Sequence, residues 1–373
     1  MSFSLAFIAH QVHRHGGQER AAAEVLSRIA RRVPVTVIAS RCELADAPVT
    51  WRRVAPAPRP LVIGSYLFAR AAQAEERRAG CTLTNAIGAA AFDADVITAQ
   101  YCHAAFTARF GGLRGGTAVG RAWQRFAQQG FVSQERRAYG AKRLRQVIAV
   151  SHGTARELQE YYGVPERIIS VVPNGVNHAV FRPTVDDAAK RALRVELGLP
   201  PSGFLVLFCG GDWERKGLCD AIDAIAGMRD AMLCVVGVGD EGAMRAHAVA
   251  RNASAQVRFA GKTTTPERWY AAADVLVHPS RYEAFSLVTL EAAASGLPIV
   301  AHAINGTEEL VTTGVNGFLT AFGGDALREP LVALRDDTAR RTAMSAAALE
   351  RSRRYAWDRV AEEYFQVLAE AAA

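Results

Sequence analysis

Short apolar runs alternate with helical stretches along the whole sequence, and this alternation limits the fold more than any other feature. Near-continuous apolar strands separated by helices are typical of parallel sheets whose two faces are both covered. The strands that this pattern predicts form two series: 5–9, 35–39, 49–54, 81–85, 96–100 and 147–150, and then 204–209, 232–236, 257–260, 275–278 and 299–301. Two series in one chain predict two doubly wound α/β domains.

Length and turn-forming residues place a boundary between the two series. The chain has 373 residues, which suits two domains of roughly 150–200 residues each. The turn formers Pro173, Asn174 and Gly175 follow the first series. We therefore expect a first domain over 1–175 and a second over 176–355, with a last helix after them.

The basic residues are concentrated in one segment. The chain has a formal net charge of +7, and residues 107–145 contain nine Lys or Arg residues but a single acid, Glu135. This segment therefore accounts for the basic balance of the chain, and an anionic partner is expected to bind there. No nucleic-acid-binding module is recognisable, so nucleic acid is not an expected partner.

An amphipathic helix in the basic segment favours a membrane surface. Trp123 and Phe126 begin an apolar helical face, while Arg121 and Arg125 lie on the other side. A basic amphipathic helix can bind an anionic bilayer, although a core-packed helix with a solvated basic face is the alternative. No apolar run approaches the roughly 18 residues of a membrane-spanning helix. We expect a cytoplasmic protein, peripheral on the inner face of the cytoplasmic membrane.

The strongest motif is the segment 281–291, which follows the predicted strand 274–280 and opens a helix. Unpaired backbone N–H groups at a helix start form an anion site, helped by the helix dipole. The residues expected to supply those groups are Phe285, Ser286, Leu287 and Val288. Glu291 lies about 7 Å further along the helix axis. If the anion is the phosphate of a nucleotide sugar, Glu291 can accept from ribose hydroxyls, and Glu283, in the loop before the helix, faces the sugar. A surface helix with two solvated acids is the alternative.

Two glycine pairs add further candidate contacts. After the first strand of the second series, the pair 210–211 permits a tight turn, and Arg215 and Lys216 then place cations at the edge where open α/β sheets bind ligands. Such cations can stabilise a leaving diphosphate without a metal, although an exposed basic turn is the alternative. Gly16 and Gly17, between the first strand and the first helix, permit close backbone contact with phosphate or sugar, and plain turns also use such pairs.

Together these motifs resemble the family-4 retaining glycosyltransferases of the GT-B fold. Glu283 and Glu291 meet the spacing of the family's two glutamates. The family's Arg-Lys-Gly stands at 215–217, its hinge entry at 173–176 and the start of its C-terminal crossing helix at 355–358. The resemblance covers nearly the whole chain and favours the lipopolysaccharide core glucosyltransferase subgroup.

The resemblance implies two Rossmann-like domains that face each other across a cleft, with the helix 356–373 crossing back to an acceptor-side first domain. The second domain is expected to bind a nucleotide-diphosphate sugar, a UDP-sugar being favoured, with no metal and no other cofactor. A hexose is then expected to pass with retention to a glycan or lipid-linked acceptor in lipopolysaccharide or cell-envelope polysaccharide synthesis. A GT-B nucleotide-sugar epimerase and a non-catalytic nucleotide-sugar-binding protein are the alternatives.

His103 follows the predicted strand 96–100. In the family that this chain resembles, a histidine after this strand often contacts the donor sugar, which implies a catalytic role for His103. An ordinary loop histidine is the alternative.

Two other motifs are not expected to carry chemistry. Residues 237–242 match G-x-G-x-x-G, but they lie at the second turn of their domain and lack the acid about 20 residues on that a dinucleotide fold has. Asp93-Ala94-Asp95 spells the D-x-D that holds a metal in another glycosyltransferase fold. Its place at the start of a strand predicts a solvated turn instead.

Overall fold

The computed structural model describes residues 3–59, 61–110 and 118–373, without the side chains of residue 110 and residues 118–121. The chain forms two compact units. The first unit comprises Met1–Asn174 and Trp357–Ala373, and the second unit comprises Gly175–Ala356. Each unit has its own parallel sheet and its own hydrophobic core.

The helices and strands alternate along most of the chain. In the first unit they are β1 Leu5–Ile8, β2 Gln11–Val12, α1 Gln18–Ile29, β3 Val35–Ala39, β4 Arg41–Cys42, β5 Val49–Arg53, α2 Leu61–Ala79, β6 Leu83–Ile87, β7 Val96–Ala99, α3 His103–Phe110, α4 Ala118–Tyr139, β8 Gln146–Ala149, α5 His152–Tyr162 and β9 Ile169–Val171. In the second unit they are α6 Asp187–Glu196, β10 Phe204–Cys209, α7 Leu218–Ile225, β11 Ala231–Val236, α8 Glu241–Ala250, β12 Val257–Gly261, α9 Pro266–Ala272, β13 Val275–His278, α10 Leu287–Ala294, β14 Ile299–His302, α11 Thr307–Leu310, β15 Gly317–Thr320, α12 Gly324–Asp336 and α13 Thr338–Ser352. The last helix, α14 Trp357–Ala372, belongs to the first unit.

The sheet of the first unit is parallel and buried on both faces. Within the described residues its strand order is β5-β3-β1-β6-β7-β8-β9. Every residue of β1, β6 and β7 is buried, as expected for parallel strands that helices cover on both sides. The strand order reverses direction between β1 and β6.

The sheet of the second unit has the same doubly wound design. Its order in the described part of the chain is β12-β11-β10-β13-β14-β15, and all of its strand pairs are parallel. β11 and β12 lie on one side of β10, and β13, β14 and β15 lie on the other. The strand order therefore changes direction at β10, and open α/β sheets bind ligands at the carboxyl ends of the strands at such a point.

These sheets confirm the predicted α/β class with two doubly wound domains. The strands β3, β10 and β13 begin and end where the sequence pattern places them. The pattern does not reveal β9 and β15. β9 has only three residues, and β15 begins at a glycine and contains a threonine, so neither gives a continuous apolar run.

Asp95 of the D-x-D triplet is buried, so the prediction of a solvated turn was wrong for this residue. Its Oδ2 accepts from the backbone N–H of Thr84 and from Arg143 Nη2, both at 2.8 Å. Arg143 also donates to the buried Glu76 at 3.0 Å. Hydrogen bonds and an opposite charge thus compensate for the burial of Asp95, which ties the start of β7 to β6 and α2.

Some cations of the basic segment pair with acids from elsewhere in the first unit. Arg109 lies 3.0 Å from the buried Glu157, and both Arg143 and Arg145 lie within 4 Å of Asp95. The exposed cations in the described part of the segment include Arg125, Arg136, Arg137 and Lys142. In the described part of the segment, exposed positive charge is therefore present on α4 and on the turn after it.

Glycines allow the loops at the carboxyl edge of the second sheet to touch. Gly237, the first glycine of the G-x-G-x-x-G stretch, has φ 131°, and a Cβ there would lie 2.2 Å from the carbonyl oxygen of Gly210. Gly217 has φ 71°, and a Cβ there would lie 2.2 Å from the carbonyl oxygen of Pro279. Packing between loops therefore explains both glycines without a dinucleotide.

Replacing Gly217 with alanine is expected to destabilise the second unit more than replacing Gly227 with alanine. Both glycines have positive φ, 71° and 74°, so each alanine costs roughly 1–2 kcal/mol for its left-handed backbone. Nothing lies within 4 Å of a Cβ at Gly227, whereas a Cβ at Gly217 meets Pro279. In urea denaturation followed by tryptophan fluorescence, Gly217→Ala should show the lower midpoint. Equal midpoints would contradict the close approach of the two loops.

Candidate active site

Two loops of the second unit meet at the carboxyl ends of β10 and β13. They span residues 210–217 and 279–286. The N–H of Arg281 donates to the carbonyl oxygen of Arg215 at 2.9 Å, and Arg215 Nη1 donates to the carbonyl oxygen of Tyr282 at 2.7 Å. Because the strand order reverses between β10 and β13, this contact lies at the edge where open parallel sheets bind ligands.

The carboxylate of Glu283 is the centre of this contact. Its Oε1 accepts from Lys216 Nζ at 2.7 Å, from Arg215 Nη1 at 3.1 Å and from the hydroxyl of Ser280 at 3.0 Å. The structure thus brings together Arg215, Lys216 and Glu283, which the sequence predicted as separate phosphate and sugar contacts. Arg215 also binds the exposed Asp212 at 2.7 Å.

Charge keeps Glu283 ionised although it is largely buried. Burial acts to raise its pKa, but the charges of Lys216 and Arg215 outweigh burial and lower the pKa to about 2. His278 Nε2 lies 3.8 Å from Glu283 Oε1, and burial together with Lys216 lowers the pKa of His278 to about 3, so this ring is neutral at pH 7. Two cations and one anion are therefore fixed in position at this edge.

The helix α10 begins beside the cluster. Ser286 is its N-cap residue, and the helix starts at Leu287, two residues later than the start of the predicted amide group at Phe285. The first N–H groups of a helix have no acceptor within it, and the helix dipole favours an anion there. The amides of Leu287 and Val288 are therefore the helical part of the predicted anion site, while Phe285 and Ser286 belong to the loop.

A third loop packs against the loop that precedes α10. Gly306, after β14, has φ 73°, and a Cβ there would lie 2.8 Å from Phe285 Cα. Sequence reasoning missed this loop, although the Asn305-Gly306 pair is a turn signal after a predicted strand. It also missed Ser280 and His278, which the short distance from the end of β13 to Glu283 could have suggested.

Glu291 lies one turn into α10 and is buried. The hydroxyl of Tyr270, from α9, donates to Glu291 Oε2 at 2.8 Å. Burial raises the pKa of Tyr270 well above its ordinary value, so the hydroxyl stays protonated and remains a donor. The carboxylate expected to contact ribose is therefore oriented by Tyr270, a partner that no sequence pattern connects with Glu291.

The residues of the first unit that the sequence predicts as substrate contacts lie at two places in that unit. Gly16 has φ 86°, and Gly17 is the N-cap residue of α1. His103 is the first residue of α3, after β7, and its Nδ1 lies 2.8 Å from Oε1 of Glu135. Sequence reasoning missed Glu135 as a partner, although a lone acid in a strongly basic segment is itself a signal.

The predicted membrane helix corresponds to α4. The side chain of Arg121 lies outside the described residues, and Arg125 is exposed. Trp123 and Phe126 are 48% and 55% exposed, with ring centroids 5.5 Å apart, so this end of the apolar face is not packed in the core. Of the helices that the structure describes, none is long and apolar enough to cross a membrane. Among the residues that the structure describes, no group of three or more His, Cys, Asp or Glu side chains is placed so that it could hold a metal ion.

Comparison with known proteins identifies the class of protein that this fold and site define. The family described as Glycosyltransferase Family 4 matches residues 15–180, and the family described as glycosyl transferases group 1 matches residues 203–337. The chain thus carries a Family 4 and a group 1 glycosyltransferase domain, and it is a glycosyltransferase of the GT-B fold.

Curated relatives match a large part of the sequence. The chain is 36% identical over 237 residues to a D-inositol 3-phosphate glycosyltransferase of Xylanimonas cellulosilytica, and 35% identical over 243 residues to the enzyme of the same name from Thermobispora bispora. Each match covers 60% of this chain. The matches span 57% and 56% of the relatives' own lengths, a little over half.

Solved structures share the fold over nearly the whole chain. WaaG, described as a glycosyltransferase involved in lipopolysaccharide biosynthesis, superimposes with a TM-score of 0.80 at 21% identity, covering 98% of this chain and 99% of its own. HepE of Anabaena, solved with UDP and glucose, gives a TM-score of 0.77 at 19% identity, covering 99% of this chain and 100% of its own. At these identities the likeness shows the GT-B fold.

Glu283→Gln is expected to destabilise the second unit at neutral pH. A carboxyl pKa lowered from 4.5 to about 2 contributes stability above pH 4.5, on the order of 3 kcal/mol, which is lost as the pH falls from 4.5 towards 2. Urea denaturation should therefore show a deficit at pH 7 that shrinks below pH 4.5. Glu214→Gln, an exposed acid of the same loop, is the control and should change stability little. A deficit equal at pH 7 and pH 3 would refute the ion pair.

Proposed function

We propose that this protein is a retaining glycosyltransferase that moves a hexose from a nucleotide-diphosphate sugar, a UDP-sugar being favoured, to a glycan or lipid-linked acceptor. The observation that carries the proposal is the cluster of Lys216, Arg215 and Glu283 beside the start of α10. It combines fixed cations, backbone donors and a carboxylate, which are the groups that a diphosphate and a sugar need. The two glycosyltransferase domains and the UDP bound in HepE support the same donor class.

Departure of the nucleoside diphosphate is the step that this arrangement can assist. Negative charge grows on the diphosphate as the bond to the sugar breaks, and positive charge grows on the sugar ring. Lys216, Arg215 and the amides of Leu287 and Val288 stabilise the leaving group without rearranging, which lowers the barrier. Glu283 contacts the sugar, and Glu291, oriented by Tyr270, accepts from the ribose hydroxyls. No metal or other cofactor is required in this scheme.

The acceptor is proposed within cell-envelope synthesis. WaaG is named for lipopolysaccharide biosynthesis and the curated relatives are named for inositol 3-phosphate, so both acceptor classes need testing. Assays with radiolabelled UDP-glucose and each acceptor in turn separate them. Product from inositol 3-phosphate alone would refute the proposal that the acceptor belongs to envelope polysaccharide synthesis.

The backbone contact of Gly16 and Gly17 with substrate stays a prediction.

Lys216→Ala is expected to lower the transfer of sugar from UDP-glucose by about 100-fold or more, because a donor to the developing charge is lost. Lys190→Ala is the matched control. Lys190 Nζ also binds a carboxylate at 2.7 Å, that of Asp274, but Asp274 precedes β13 and so lies at the opposite edge of the sheet. Initial rates at saturating donor, with thermal midpoints for both variants, provide the measurement. Similar rate losses in the two variants would reject the donor-site assignment.

We also propose that the first unit binds an anionic membrane surface through α2 and α4. The two helices pack closely, since a Cβ at Gly130 of α4 would lie 2.2 Å from Val62 Cγ2 of α2. Besides Trp123 and Phe126, the pair exposes apolar side chains of α2, namely Leu61, Ile63 and Leu67, which are 62%, 50% and 50% exposed. Exposed aromatic and aliphatic side chains beside Arg125 suit an interface with anionic lipid. Under this proposal the protein is peripheral on the inner face of the cytoplasmic membrane.

Replacing Trp123 and Phe126 together with serine is expected to weaken binding to vesicles of phosphatidylglycerol and phosphatidylcholine by about tenfold or more, because two exposed rings that would insert into the lipid interface are lost. Trp51→Ser is the control, since Trp51 is 43% exposed on β5, outside α2 and α4. Co-sedimentation at low salt measures the bound fraction. Binding by the double variant as strong as by Trp51→Ser would exclude the membrane surface.

A further inference from the structure

His103 is held by one buried carboxylate at two points. Oε2 of Glu135 accepts from the backbone N–H of His103 at 2.9 Å, and Oε1 lies 2.8 Å from Nδ1 of the ring. Glu135, from α4, is 3% exposed, and it lies at the N-terminal end of α3, where the helix dipole favours a carboxylate. Both the backbone and the ring of His103 are thereby fixed.

A further partner of Glu135, Tyr162, helps to determine which atoms donate. The hydroxyl of Tyr162 donates to Oε2 at 2.5 Å, and burial together with the charge of Glu135 raises the pKa of Tyr162, so this hydroxyl keeps its proton. Oε2 therefore accepts from two donors, and Oε1 shares a proton with Nδ1 of His103. A carboxylate oxygen only accepts, so Nδ1 of the ring is the donor in this contact.

The ring plane is fixed by aromatic side chains. Phe131 stacks on the imidazole with centroids 4.9 Å apart, and Tyr101 meets its edge at 4.7 Å. The His103 side chain is 29% exposed, so the ring is accessible although it is clamped. With Nδ1–H directed at Glu135, Nε2 is the ring atom that presents a lone pair.

We propose that Glu135 is a positioning residue that holds His103 in the Nδ1–H tautomer, so that Nε2 accepts a hydrogen bond from a hydroxyl group of a sugar substrate. The inference rests on the proposed function and deepens it. A neutral acceptor between aromatic rings suits a sugar, which offers hydroxyl donors and C–H groups that pack against rings. The donor sugar or the acceptor sugar supplies the hydroxyl, and the carboxylate stabilises any positive charge that the ring gains.

The tautomer can be read directly. Long-range ¹H–¹⁵N correlation spectra of the ¹⁵N-histidine-labelled protein distinguish the two tautomers, and the signal of His103 is assigned by its loss in His103→Gln. The wild type should show Nδ1–H. In Glu135→Gln the amide offers N–H groups as well as an oxygen, so the Nε2–H form should appear. A wild-type ring in the Nε2–H form overturns the proposal, whether or not the protein transfers sugar.

Kinetics test whether Glu135 acts through His103. Glu135→Gln should lower kcat with UDP-glucose by about 10- to 100-fold, as loss of a carboxylate partner does for metal-bound histidines. The double variant His103→Gln/Glu135→Gln should be no slower than His103→Gln alone, because Glu135 acts only through His103 and both changes remove the same hydrogen bond to the sugar. Multiplied losses in the double variant would overturn the proposal.

A matched control separates positioning from packing. Glu157→Gln changes another buried acid of the first unit, 2% exposed and paired with Arg109 instead of a histidine. It should shift the thermal midpoint about as much as Glu135→Gln does while kcat stays near the wild-type value. An equal loss of kcat in both variants would mean that Glu135 is only structural.

The source of the hydroxyl follows from His103→Gln. If the donor supplies it, this variant binds UDP-glucose about tenfold or more weakly while binding of UDP is unchanged. If the acceptor supplies it, UDP-glucose binding and hydrolysis are retained and transfer is lost. Unchanged binding, hydrolysis and transfer in His103→Gln would refute the contact. A wild type that neither hydrolyses nor transfers any nucleotide sugar would instead refute the proposed function.

Discussion

The ionised carboxylate of Glu283 links the two loops on which the proposed donor site depends. A buried charge is costly unless opposite charges and hydrogen bonds compensate for it, and Lys216, Arg215 and Ser280 do so here. The same contacts restrain the two cationic side chains, which would otherwise be long and flexible. A diphosphate then meets cations that are already ordered, so little conformational entropy is lost on binding.

The backbone around this cluster is shaped for close approach. The contacts at Gly217 and Gly237 leave no room for side chains, and they bring three loops of one sheet edge together. The helix α10 starts at that edge with its positive end directed to the same place. Further along α10, the hydrogen bond from Tyr270 gives Glu291 a fixed orientation inside the protein. The loops of the proposed donor site are thus held by contacts with one another and lie beside the start of a regular helix.

The sequence predicts this fold well because buried parallel strands appear as apolar runs with turn residues between them. It also names Lys216, Arg215 and Glu283, since residues at the ends of strands share one edge. It does not show that Lys216 and Glu283 touch, because 67 positions separate them and only the neighbouring strands β10 and β13 bring them together. The same reason hides the pair of His103 and Glu135. Asp95 shows the opposite error, since one acid of a polar triplet at a strand start proved to be a buried ion-pair partner.

The most direct test of the central claim is a calorimetric titration of the wild-type protein with UDP and with UMP. If Lys216, Arg215 and the start of α10 bind the diphosphate, the second phosphate should contribute at least about 1.4 kcal/mol, so UDP should bind tenfold or more tightly than UMP. Inorganic pyrophosphate should then displace UDP. Equal affinities for UDP and UMP, with no displacement by pyrophosphate, would contradict the account.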